Sequence, residues 1–329
     1  MNRWAAIATA LGIVSVAALE WPTARAPVAS NAAVRRCLDP ERDARGVYPG
    51  MAWVPGGRYM MGDSVYPEEG PPREVRIAGF WMDRHEITNR QFAAFVRATH
   101  YVTEAERAAQ PGAMVFVMPR RVSDLSDISQ WWRYVPGANW RHPAGPGSSI
   151  EGREDYPVVE VSYADAQAYA HWAQRELPSE EEWEWAAREA DPNAAPGHGQ
   201  PEEANTWQGV FPVQNSGDDG FVGLAPAGCY KPNRLGLYDM IGNVWEWTRS
   251  RFTPDHSAAE AYMPSPDSVP RMQGHDEVSY TIKGGSYLCA PNYCMRYRSG
   301  ARQPQEADLG ASHLGFRTIL RAPSPHSQP

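Results

Sequence analysis

The sequence lacks the short motifs that define several common classes of enzyme. Its nine histidines include no pair at the spacing of a helical metal site, so the zinc-protease pattern is absent. The serine in Gly284-Gly-Ser-Tyr-Leu288 lacks the second flanking glycine of a hydrolase nucleophile elbow, and no glycine-rich phosphate loop occurs. These absences argue against zinc proteases, α/β-hydrolases and P-loop nucleotide enzymes.

Clusters of basic residues are also missing. The chain has 31 Lys and Arg against 39 Asp and Glu, which gives a formal net charge of -8, and no long basic run interrupts this balance. Binding to nucleic-acid phosphates requires clustered Lys and Arg side chains. We therefore predict that the protein has no nucleic-acid partner.

The apolar run near the N-terminus is short for a membrane span. It extends from Trp4 to Leu19, follows Arg3 and ends at Glu20. As a helix it would be about 24 Å long, against about 30 Å for the hydrocarbon core of a bilayer. Residues 1–26 are therefore predicted to be a signal peptide, with an uncleaved N-terminal anchor as the alternative. Both predict an exported protein, periplasmic or secreted, whose only membrane contact would be that anchor.

The remaining chain is predicted to be a linker, one domain and a tail. Residues 27–46 are polar and rich in Pro and Ala, residues 47–321 show no repeat or internal boundary, and residues 322–329 are predicted to be disordered. The 28 Gly, 30 Pro and 13 Trp residues are unusual for a helical protein. They predict an irregular, turn-rich fold that large aromatic side chains hold together.

Local patterns predict a few regular elements. Residues 51–62 are predicted to form two short strands around a Pro-Gly-Gly turn, and residues 73–82 another strand. Asn89 is predicted to cap a helix over residues 90–99. Two capping boxes, Ser162 with Asp165 and Ser179 with Glu182, predict the starts of two further helices.

The chain has only four cysteines, Cys37, Cys229, Cys289 and Cys294. In an oxidising compartment an even number favours two disulfides. The sequence Cys289-Ala-Pro-Asn-Tyr-Cys294 predicts a turn that brings two sulfurs together, and two thiolates without a histidine or carboxylate are soft ligands suited to Cu(I). Zinc would require four ligands. From the spacing alone, a structural disulfide and a redox or metal pair remain equal alternatives.

Three arginines follow this pair, Arg296, Arg298 and Arg302. Positive charge beside a thiol favours the thiolate form. We therefore predict that these side chains lower the pKa values of both thiols.

The segment around the pair resembles a known family. Ile282-Lys-Gly-Gly-Ser-Tyr-Leu-Cys-Ala-Pro-Asn-Tyr-Cys-Met-Arg-Tyr-Arg298 closely resembles the active-site segment of formylglycine-generating enzymes, the sulfatase-modifying factor family. Other stretches are similar to the family in the same order: residues 137–143, 205–209, 211–213, 219–221, 236–238, 242–247 and 314–317. The resemblance covers about residues 50 to 320.

The resemblance implies a fold, an activity and a copper site. The fold would be a single compact α+β domain with little regular secondary structure, related to the C-type lectin fold. Cys289 and Cys294 would hold Cu(I), and Ser286 would lie beside the oxygen and substrate pocket. The activity would be O2-dependent conversion of a cysteine to Cα-formylglycine, in a Cys-x-Pro-x-Arg motif of an unfolded sulfatase or similar polypeptide. Without the resemblance, Ser286 is equally well a turn hydroxyl bonded to its own backbone.

The resemblance also implies two structural Ca²⁺ ions with oxygen ligands. The first would use the side chains of Asn205 and Asp219 with the carbonyls of Thr206 and Phe221. The second would use the side chains of Asp239 and Glu246 with the carbonyls of Gly242 and Val244. Without the resemblance, such Asp and Asn positions are more often turn formers.

Some positions depart from the family pattern and leave the substrate open. Ala290 stands where a His usually follows the first cysteine, and Glu176 stands where Arg is usual. Residues 305–309 and Ser299 also differ. The family offers no match for Cys37 and Cys229, which we predict to form a disulfide if the chain is exported.

Two other functions remain alternatives. One is a periplasmic tailoring enzyme of the same fold that modifies a peptide-derived small molecule, such as a siderophore precursor. The other is a non-catalytic binding module in which Cys289 and Cys294 form a plain disulfide.

Overall fold

The computed structural model describes Cys37, residues 47–257 and residues 278–321. The predicted leader, almost all of the predicted linker and the predicted tail lie outside these residues. All described residues belong to one unit, residues 36–329. No helix in these ranges has the length and apolar character needed to cross a membrane.

The described residues contain four α-helices: α1 Asn89–Thr99, α2 Glu104–Arg107, α3 Tyr163–Trp172 and α4 Glu180–Ala187. The two predicted capping boxes are confirmed, since Ser162 caps α3 and Ser179 caps α4. The cap predicted for α1 is wrong by one residue. The Thr88 hydroxyl accepts the Gln91 N–H, whereas the Asn89 amide donates to the carbonyl oxygen of Arg153.

The strands are short and numerous: β1 Met51–Val54, β2 Gly57–Met61, β3 Arg73–Ile77, β4 Phe80–Asp83, β5 Gly112–Phe116, β6 Trp132–Pro136, β7 Gly209–Val210, β8 Gln214–Asn215, β9 Trp245–Arg251, β10 Ser279–Lys283, β11 Arg302–Glu306, β12 Leu314–Gly315 and β13 Ile319–Leu320. The two strands predicted around the Pro-Gly-Gly turn exist but do not pair with each other. β1 pairs with β4, and β2 pairs with β3.

The single strand predicted over residues 73–82 is two strands. The chain leaves the β2–β3 ribbon after Ile77 and enters the sheet of β1, β4 and β13 at Phe80. Gly79 lies at this change of sheet, where a Cβ atom would approach the Trp53 ring to 2.4 Å. Apolar residues alternate only in β3, whereas all four residues of β4 are buried. Neither pattern shows that the two strands belong to different sheets.

The largest sheet has the strand order β11-β10-β9-β12. β10 runs antiparallel to β9 and β11, and β12 runs parallel to β9. The chain between β10 and β11 contains both Cys289 and Cys294. The sheet therefore fixes both ends of the cysteine loop, which we define as residues 284–301.

Large aromatic side chains fill the interior, as the composition predicts. Six tryptophans are at most 2% exposed: Trp131, Trp183, Trp185, Trp207, Trp245 and Trp247. One apolar cluster surrounds α1 and α3 and includes both cysteines of the loop, and a second packs around α4. A third, which we name the aromatic cluster, consists of Trp131, Trp207, Phe211, Tyr287, Leu288 and Ala290. It lies directly against the cysteine loop.

Candidate active site

The cysteine loop begins at a close approach between two backbones. Gly285 has φ +73°, and a Cβ atom there would lie 2.7 Å from the carbonyl oxygen of Arg296. Only glycine combines this dihedral with the absence of a side chain. The predicted turn follows, since the N–H groups of Tyr293 and Cys294 both donate to the carbonyl oxygen of Ala290, at 3.2 and 3.0 Å.

This turn places the two sulfur atoms side by side. The Sγ atoms of Cys289 and Cys294 are 3.0 Å apart, and both cysteines are free thiols that are buried from solvent. The pair is therefore close enough to bind one ion or to be oxidised. The plain-disulfide alternative does not describe this state of the protein.

The two thiols differ in acidity. Burial raises the pKa of Cys289 well above its ordinary value, and the neighbouring Cys294 sulfur raises it further. The pKa of Cys294 is lowered to about 7, first by the hydrogen bond from Cys289 and then, against burial, by the charge of Arg296. The pair therefore loses its first proton from Cys294. The predicted lowering holds for Cys294 and is wrong for Cys289.

Arg296 is the arginine that reaches the pair. Its guanidinium lies 4.0 Å from the centre of the Tyr66 ring and forms an ion pair with Glu68. These two contacts come from the turn between β2 and β3. They hold the positive charge at the wall of the cavity beside Cys294.

The other two arginines act elsewhere. Arg298 is buried and forms ion pairs with Asp63 and Glu69, and Arg302 forms one with Glu180 at 2.7 Å. Buried arginines need such partners because an unpaired buried charge is costly. The prediction that they lower the thiol pKa values is wrong, because the arginine whose charge acts on both cysteines is Arg296.

A cavity of about 400 Å³ opens onto the sulfur atoms. Its lining is mainly aromatic and apolar, with a few polar groups: Trp132, Phe211, Trp245, Ser286, Leu288, Cys289, Tyr293, Cys294, Arg296, Gln303, Pro304 and His313. The Ser286 Oγ accepts the N–H of Leu288 at 3.2 Å, which is the turn role considered from sequence. Its hydroxyl hydrogen remains able to donate, so Ser286 shapes the loop and also lines the cavity.

Sequence reasoning missed Trp132 and His313 as cavity residues. Their rings face each other with centroids 4.7 Å apart. Burial lowers the pKa of His313 to about 3, so the ring is neutral. Trp132 lies far along the chain from the cysteines, and His313 directly precedes the family-like residues 314–317 without being part of them. No signal in the sequence places them there.

The aromatic cluster supports the other wall. Phe211 stacks on Tyr293 with ring centroids 4.4 Å apart. The Asn292 side chain accepts the N–H of Phe211 at 3.3 Å and donates to the carbonyl oxygen of Phe211 at 3.1 Å. Ala290 is completely buried in this cluster. Trp131 and Trp207 belong to the same cluster, so a larger residue at position 290 has little room.

The residues predicted for the first calcium site lie together. Asp219 accepts the N–H of Thr206 at 3.0 Å and that of Phe221 at 3.1 Å. The Asn205 amide nitrogen donates to Gly223 and Asn243, which turns its oxygen away from those partners. Burial raises the pKa of Asp219, although the hydrogen bonds oppose this. The donor set, one carboxylate with amide and carbonyl oxygens, fits a hard cation.

The second predicted calcium site contains more charge than the sequence indicated. Glu246 is held by two nitrogen atoms of Arg317, at 2.6 and 2.7 Å, and by the Trp183 indole at 2.7 Å. The Asp239 carboxylate accepts the N–H of Gly228. Glu246 therefore keeps few lone pairs for a metal, and Asp239 is the less engaged of the two predicted side chains.

Glu86 is the residue that the sequence did not reveal here. It is fully buried, one carboxylate oxygen has no hydrogen-bond partner among the described residues, and its carboxyl group lies within hydrogen-bond reach of Asp239. Burial raises its pKa, and the nearby charges of Asp239 and Glu246 raise it further while Arg317 opposes them. Three carboxyl groups, those of Glu86, Asp239 and Glu246, thus lie around the single guanidinium of Arg317.

The donors at the cysteine pair fit Cu(I). They are two soft sulfur atoms without a carboxylate or histidine bound to them, and the pKa of one of them, Cys294, is lowered. In the part of the chain that the structure describes, no group of three or more His, Cys, Asp and Glu side chains is arranged to hold a metal. A metal here would have two protein ligands and would leave a position for a third.

The other two cysteines are joined, as predicted. Cys37 and Cys229 form a disulfide with their Cα atoms 4.5 Å apart, within the range that disulfides require. The bond attaches the chain before Val47 to the domain. It also separates the four cysteines into a covalent pair and a free pair.

The fold and site together define an enzyme-like protein with a buried dithiol at the bottom of a peptide-sized cavity. The chain belongs to the family of the sulfatase-modifying factor enzyme 1-like domain, whose model matches residues 38–322. It is 47% identical over 287 residues to the formylglycine-generating enzyme of Mycobacterium tuberculosis, covering 81% of this chain and 96% of that protein. Membership confirms the resemblance and the predicted α+β fold class.

Two further relatives show that sequence similarity alone does not establish catalytic activity in this family. The inactive C-alpha-formylglycine-generating enzyme 2 of Mus musculus is 45% identical, over 84% of this chain and 87% of that protein. The structure of PvdO from Pseudomonas aeruginosa superposes with a TM-score of 0.57 at 25% identity, covering 82% of this chain and 93% of that chain. High identity in this family thus occurs with and without activity, so the function must be argued from the site.

Proposed function

We propose that this protein is a copper-dependent oxidase that converts a cysteine of an unfolded polypeptide into Cα-formylglycine. The observation that carries the proposal is the free, buried Cys289–Cys294 pair, with sulfur atoms 3.0 Å apart at the cavity. A disulfide staple would not remain reduced and open to a cavity. The relatives named formylglycine-generating enzymes support the same chemistry.

The cysteine pair would hold the metal and the substrate thiol would complete the site. When bound, Cu(I) supplies a centre at which O2 can react beside the substrate sulfur. Cys294 is ready to bind because Arg296 favours its thiolate, whereas Cys289 must release its proton to the solvent or to a base. The two-sulfur arrangement leaves a position that a substrate cysteine can fill.

The cavity residues would orient the substrate and exclude bulk water. Trp132, Phe211 and Tyr293 provide an apolar wall, and Ser286 offers a hydroxyl at the cysteine turn. Water must still enter once, because the thioaldehyde formed from the substrate is hydrolysed to the aldehyde. A cavity of about 400 Å³ admits an extended peptide segment and excludes a folded domain.

The reaction balances only with an external thiol. The substrate loses two hydrogen atoms, one from the β-carbon and one from the sulfur, which together carry two electrons. O2 takes up four electrons, and two molecules of a small thiol supply the other two. Written in full, R–CH2SH, O2 and two R′SH give R–CHO, hydrogen sulfide, the disulfide R′S–SR′ and one molecule of water. The cysteines of the enzyme are unchanged at the end of this cycle.

We also propose a sulfatase-type substrate and an exported enzyme. The family model describes a sulfatase-modifying factor domain, which supports a polypeptide containing Cys-x-Pro-x-Arg as partner. The Cys37–Cys229 disulfide supports an oxidising compartment, since such bonds are rare in the cytosol. The substrate must then reach that compartment while it is still unfolded.

The proposal includes the two structural Ca²⁺ sites. The first would use Asn205, Thr206, Asp219 and Phe221, which the fold brings together in one loop region. The second would use Asp239, Gly242, Val244 and Glu246, and the gathering of three carboxyl groups around Arg317 supports a cation there. Neither ion takes part in the chemistry, and both would hold loops that contain few regular elements.

The test is oxidation of a short peptide containing Cys-x-Pro-x-Arg. Reduced enzyme, Cu(I), O2 and a thiol should convert its cysteine to an aldehyde, followed by mass spectrometry and hydrazide capture. Omission of O2 and the Cys294→Ser variant should each abolish the product. If copper binds with wild-type stoichiometry but no such peptide is oxidised, the proposal fails and the tailoring-enzyme alternative replaces it.

A further inference from the structure

His313 has an unusual position in the cysteine cavity. It lines the same cavity as Ser286, Cys289 and Cys294. Its Nδ1 atom is buried and has no hydrogen-bond partner among the described residues, whereas Nε2 is not among the buried unpaired atoms. No described side chain or backbone group bonds either nitrogen. The ring therefore presents Nε2 to the cavity with its hydrogen-bonding capacity unused.

The protein holds this ring in place. The carbonyl oxygen of His313 accepts the N–H of Trp245 at 2.8 Å, which fixes its backbone to the first residue of β9. The ring packs against Trp132 with an interplanar angle of 51°. A side chain fixed at both the backbone and the ring, yet without a polar partner, is arranged for a ligand rather than for the fold.

Its protonation state decides what it can offer. Burial lowers the pKa of His313 to about 3, so the imidazole is neutral at physiological pH and has one N–H. Buried N–H groups without an acceptor are rarer than buried acceptors without a donor. The proton therefore belongs on Nε2, and Nδ1 is the unpaired acceptor. His313 presents a neutral hydrogen-bond donor to the cavity.

The acceptor must come from the bound molecule. The side chains of Trp132, Trp245 and Phe211 in the neighbouring wall have no acceptor oxygen. Ser286 and Gln303 carry such oxygens and line the same cavity, but neither forms a hydrogen bond with His313. Arg296 is a donor itself and is already engaged by Glu68. An extended peptide carries a backbone carbonyl at every residue, and these are strong, obligatory acceptors.

We propose that His313 is a substrate-binding residue, whose Nε2–H donates to a backbone carbonyl oxygen beside the reacting cysteine of the polypeptide. Trp132 keeps the imidazole in the orientation that this bond requires. Because the bond uses the main chain, it holds the peptide in register without selecting its side chains. The inference rests on the proposed function, since it assumes that a polypeptide enters the cavity.

Binding can be measured without reaction. A fluorescein-labelled Cys-x-Pro-x-Arg peptide with serine in place of the reacting cysteine is titrated with reduced wild-type protein, His313→Leu and His313→Asn, and anisotropy gives Kd. Loss of one hydrogen bond with its buried partner weakens binding by about tenfold. We expect that loss in His313→Leu and recovery of most of it in His313→Asn, which retains an N–H donor. The control variant His171→Leu changes an exposed histidine of α3 and should bind as wild type.

A backbone scan shows whether the bond goes to a carbonyl oxygen. Replacing one amide of the peptide at a time by an ester weakens the adjacent acceptor. One position should lower the affinity of the wild-type protein and leave that of His313→Leu unchanged. If the two proteins respond alike at every position, or if His313→Leu binds as tightly as wild type, the inference is overturned.

Kinetic measurements distinguish a binding role of His313 from a catalytic role. They also distinguish a failure of this inference from a failure of the proposed function. With the cysteine peptide, His313→Leu should raise KM about tenfold and leave kcat near the wild-type value. A His313→Asn variant that binds normally but loses most of kcat would instead make His313 a proton-transfer group and overturn the inference. If wild-type protein binds the serine peptide through His313 but does not oxidise the cysteine peptide, only the proposed function fails.

Discussion

The backbone N–H of Trp207 donates a hydrogen bond of 3.0 Å to the carbonyl oxygen of Cys289. Trp207 directly follows Thr206, which we propose as a calcium ligand. A parallel connection runs from Tyr287 N–H to the Asn243 carbonyl, at 3.0 Å, and from Asn243 N–H to the carbonyl of Asn205, at 2.8 Å. The loop proposed to bind calcium and the cysteine loop thus share backbone bonds, so loosening one disturbs the other.

Calcium removal should lower both the stability and the copper affinity of the protein. An ion held at one hundred times its Kd stabilises the native state by about 2.7 kcal/mol. We expect a calcium-specific chelator to lower Tm and weaken Cu(I) binding, and added calcium to restore both. Asp219→Asn should remove the response of the first site, whereas Asn at the adjacent, exposed Asp218 should not. Identical melting curves with and without chelator would contradict the calcium sites.

Cys289→Ser and Cys294→Ser should each abolish tight Cu(I) binding while the protein still folds. One thiolate cannot supply the two-sulfur site, and neither cysteine is part of a covalent staple. The measurement is anaerobic competition with a Cu(I) chelator, together with the melting temperature. The matched control replaces Cys37 and Cys229 together by Ser, which should leave copper affinity unchanged and lower Tm. Wild-type copper affinity in either single variant would eliminate the cysteine pair as the copper site.

At pH 7, replacement of Glu160 by Gln should stabilise the folded protein, whereas replacement of Glu180 by Gln should destabilise it. Glu160 is fully buried and its carboxylate oxygens have no hydrogen-bond partner among the described residues, so burial raises its pKa well above the ordinary value. The native state then retains a proton that the unfolded chain has lost. Stability falls by about 1.4 kcal/mol for each pH unit from an unfolded pKa of about 4.3 up to the raised value.

Glu160→Gln should therefore raise Tm at pH 7 and have little effect near pH 4.

Burial raises the pKa of Glu180, but the charges of Arg302, Lys283 and His256 outweigh it and lower the pKa overall. Its contribution is present above the unfolded pKa and is lost only as pH falls through the lowered value. Glu180→Gln should accordingly cost about 3–5 kcal/mol at pH 7, because it leaves Arg302 without its partner. Denaturant unfolding at several pH values measures both, and a common sign for the two variants would refute the assignment.

Restoring the histidine that is usual in the family at position 290 should destabilise this chain. Ala290 is completely buried among Trp131, Trp207 and Phe211, and overpacking a core typically costs about 1–3 kcal/mol. Urea unfolding of Ala290→His should show this loss, with Pro291→His as the control at the next, exposed position. An Ala290→His protein as stable as wild type would show that the aromatic cluster has space for the ring.

The sequence predicted those parts of the site that lie within one segment. The turn between Cys289 and Cys294 is fixed by Pro291 and Asn292, and the capping boxes at Ser162 and Ser179 are equally local, so all of these are confirmed. The pairing of β1 and the division of residues 73–82 depend on which strands meet in space. A pattern with period two reports burial on one face and contains no information about the partner strand.

The rest of the site depends on distances along the chain that no local pattern encodes. Arg298 and Arg302 follow the cysteines closely, yet their charges are used by Asp63 and Glu180. His313 and Trp132 form one wall of the cavity although the first lies in a turn and the second begins β6, far away along the chain. Closeness in the sequence wrongly suggested that Arg298 and Arg302 act on the cysteines, and it did not indicate that His313 and Trp132 line the cavity.

The separation of the cavity residues along the chain has a consequence for biogenesis. Its walls include Trp132, Phe211, Trp245 and His313, so they are complete only after nearly the whole domain has been synthesised. In an oxidising compartment, the emerging chain exposes Cys37 and Cys229 before Cys289 and Cys294. Early closure of the first disulfide removes two of the three partners that Cys289 could wrongly acquire. If the protein is exported and binds copper as we propose, the yield of active enzyme should therefore depend on the order of thiol oxidation, with copper loading as the final step.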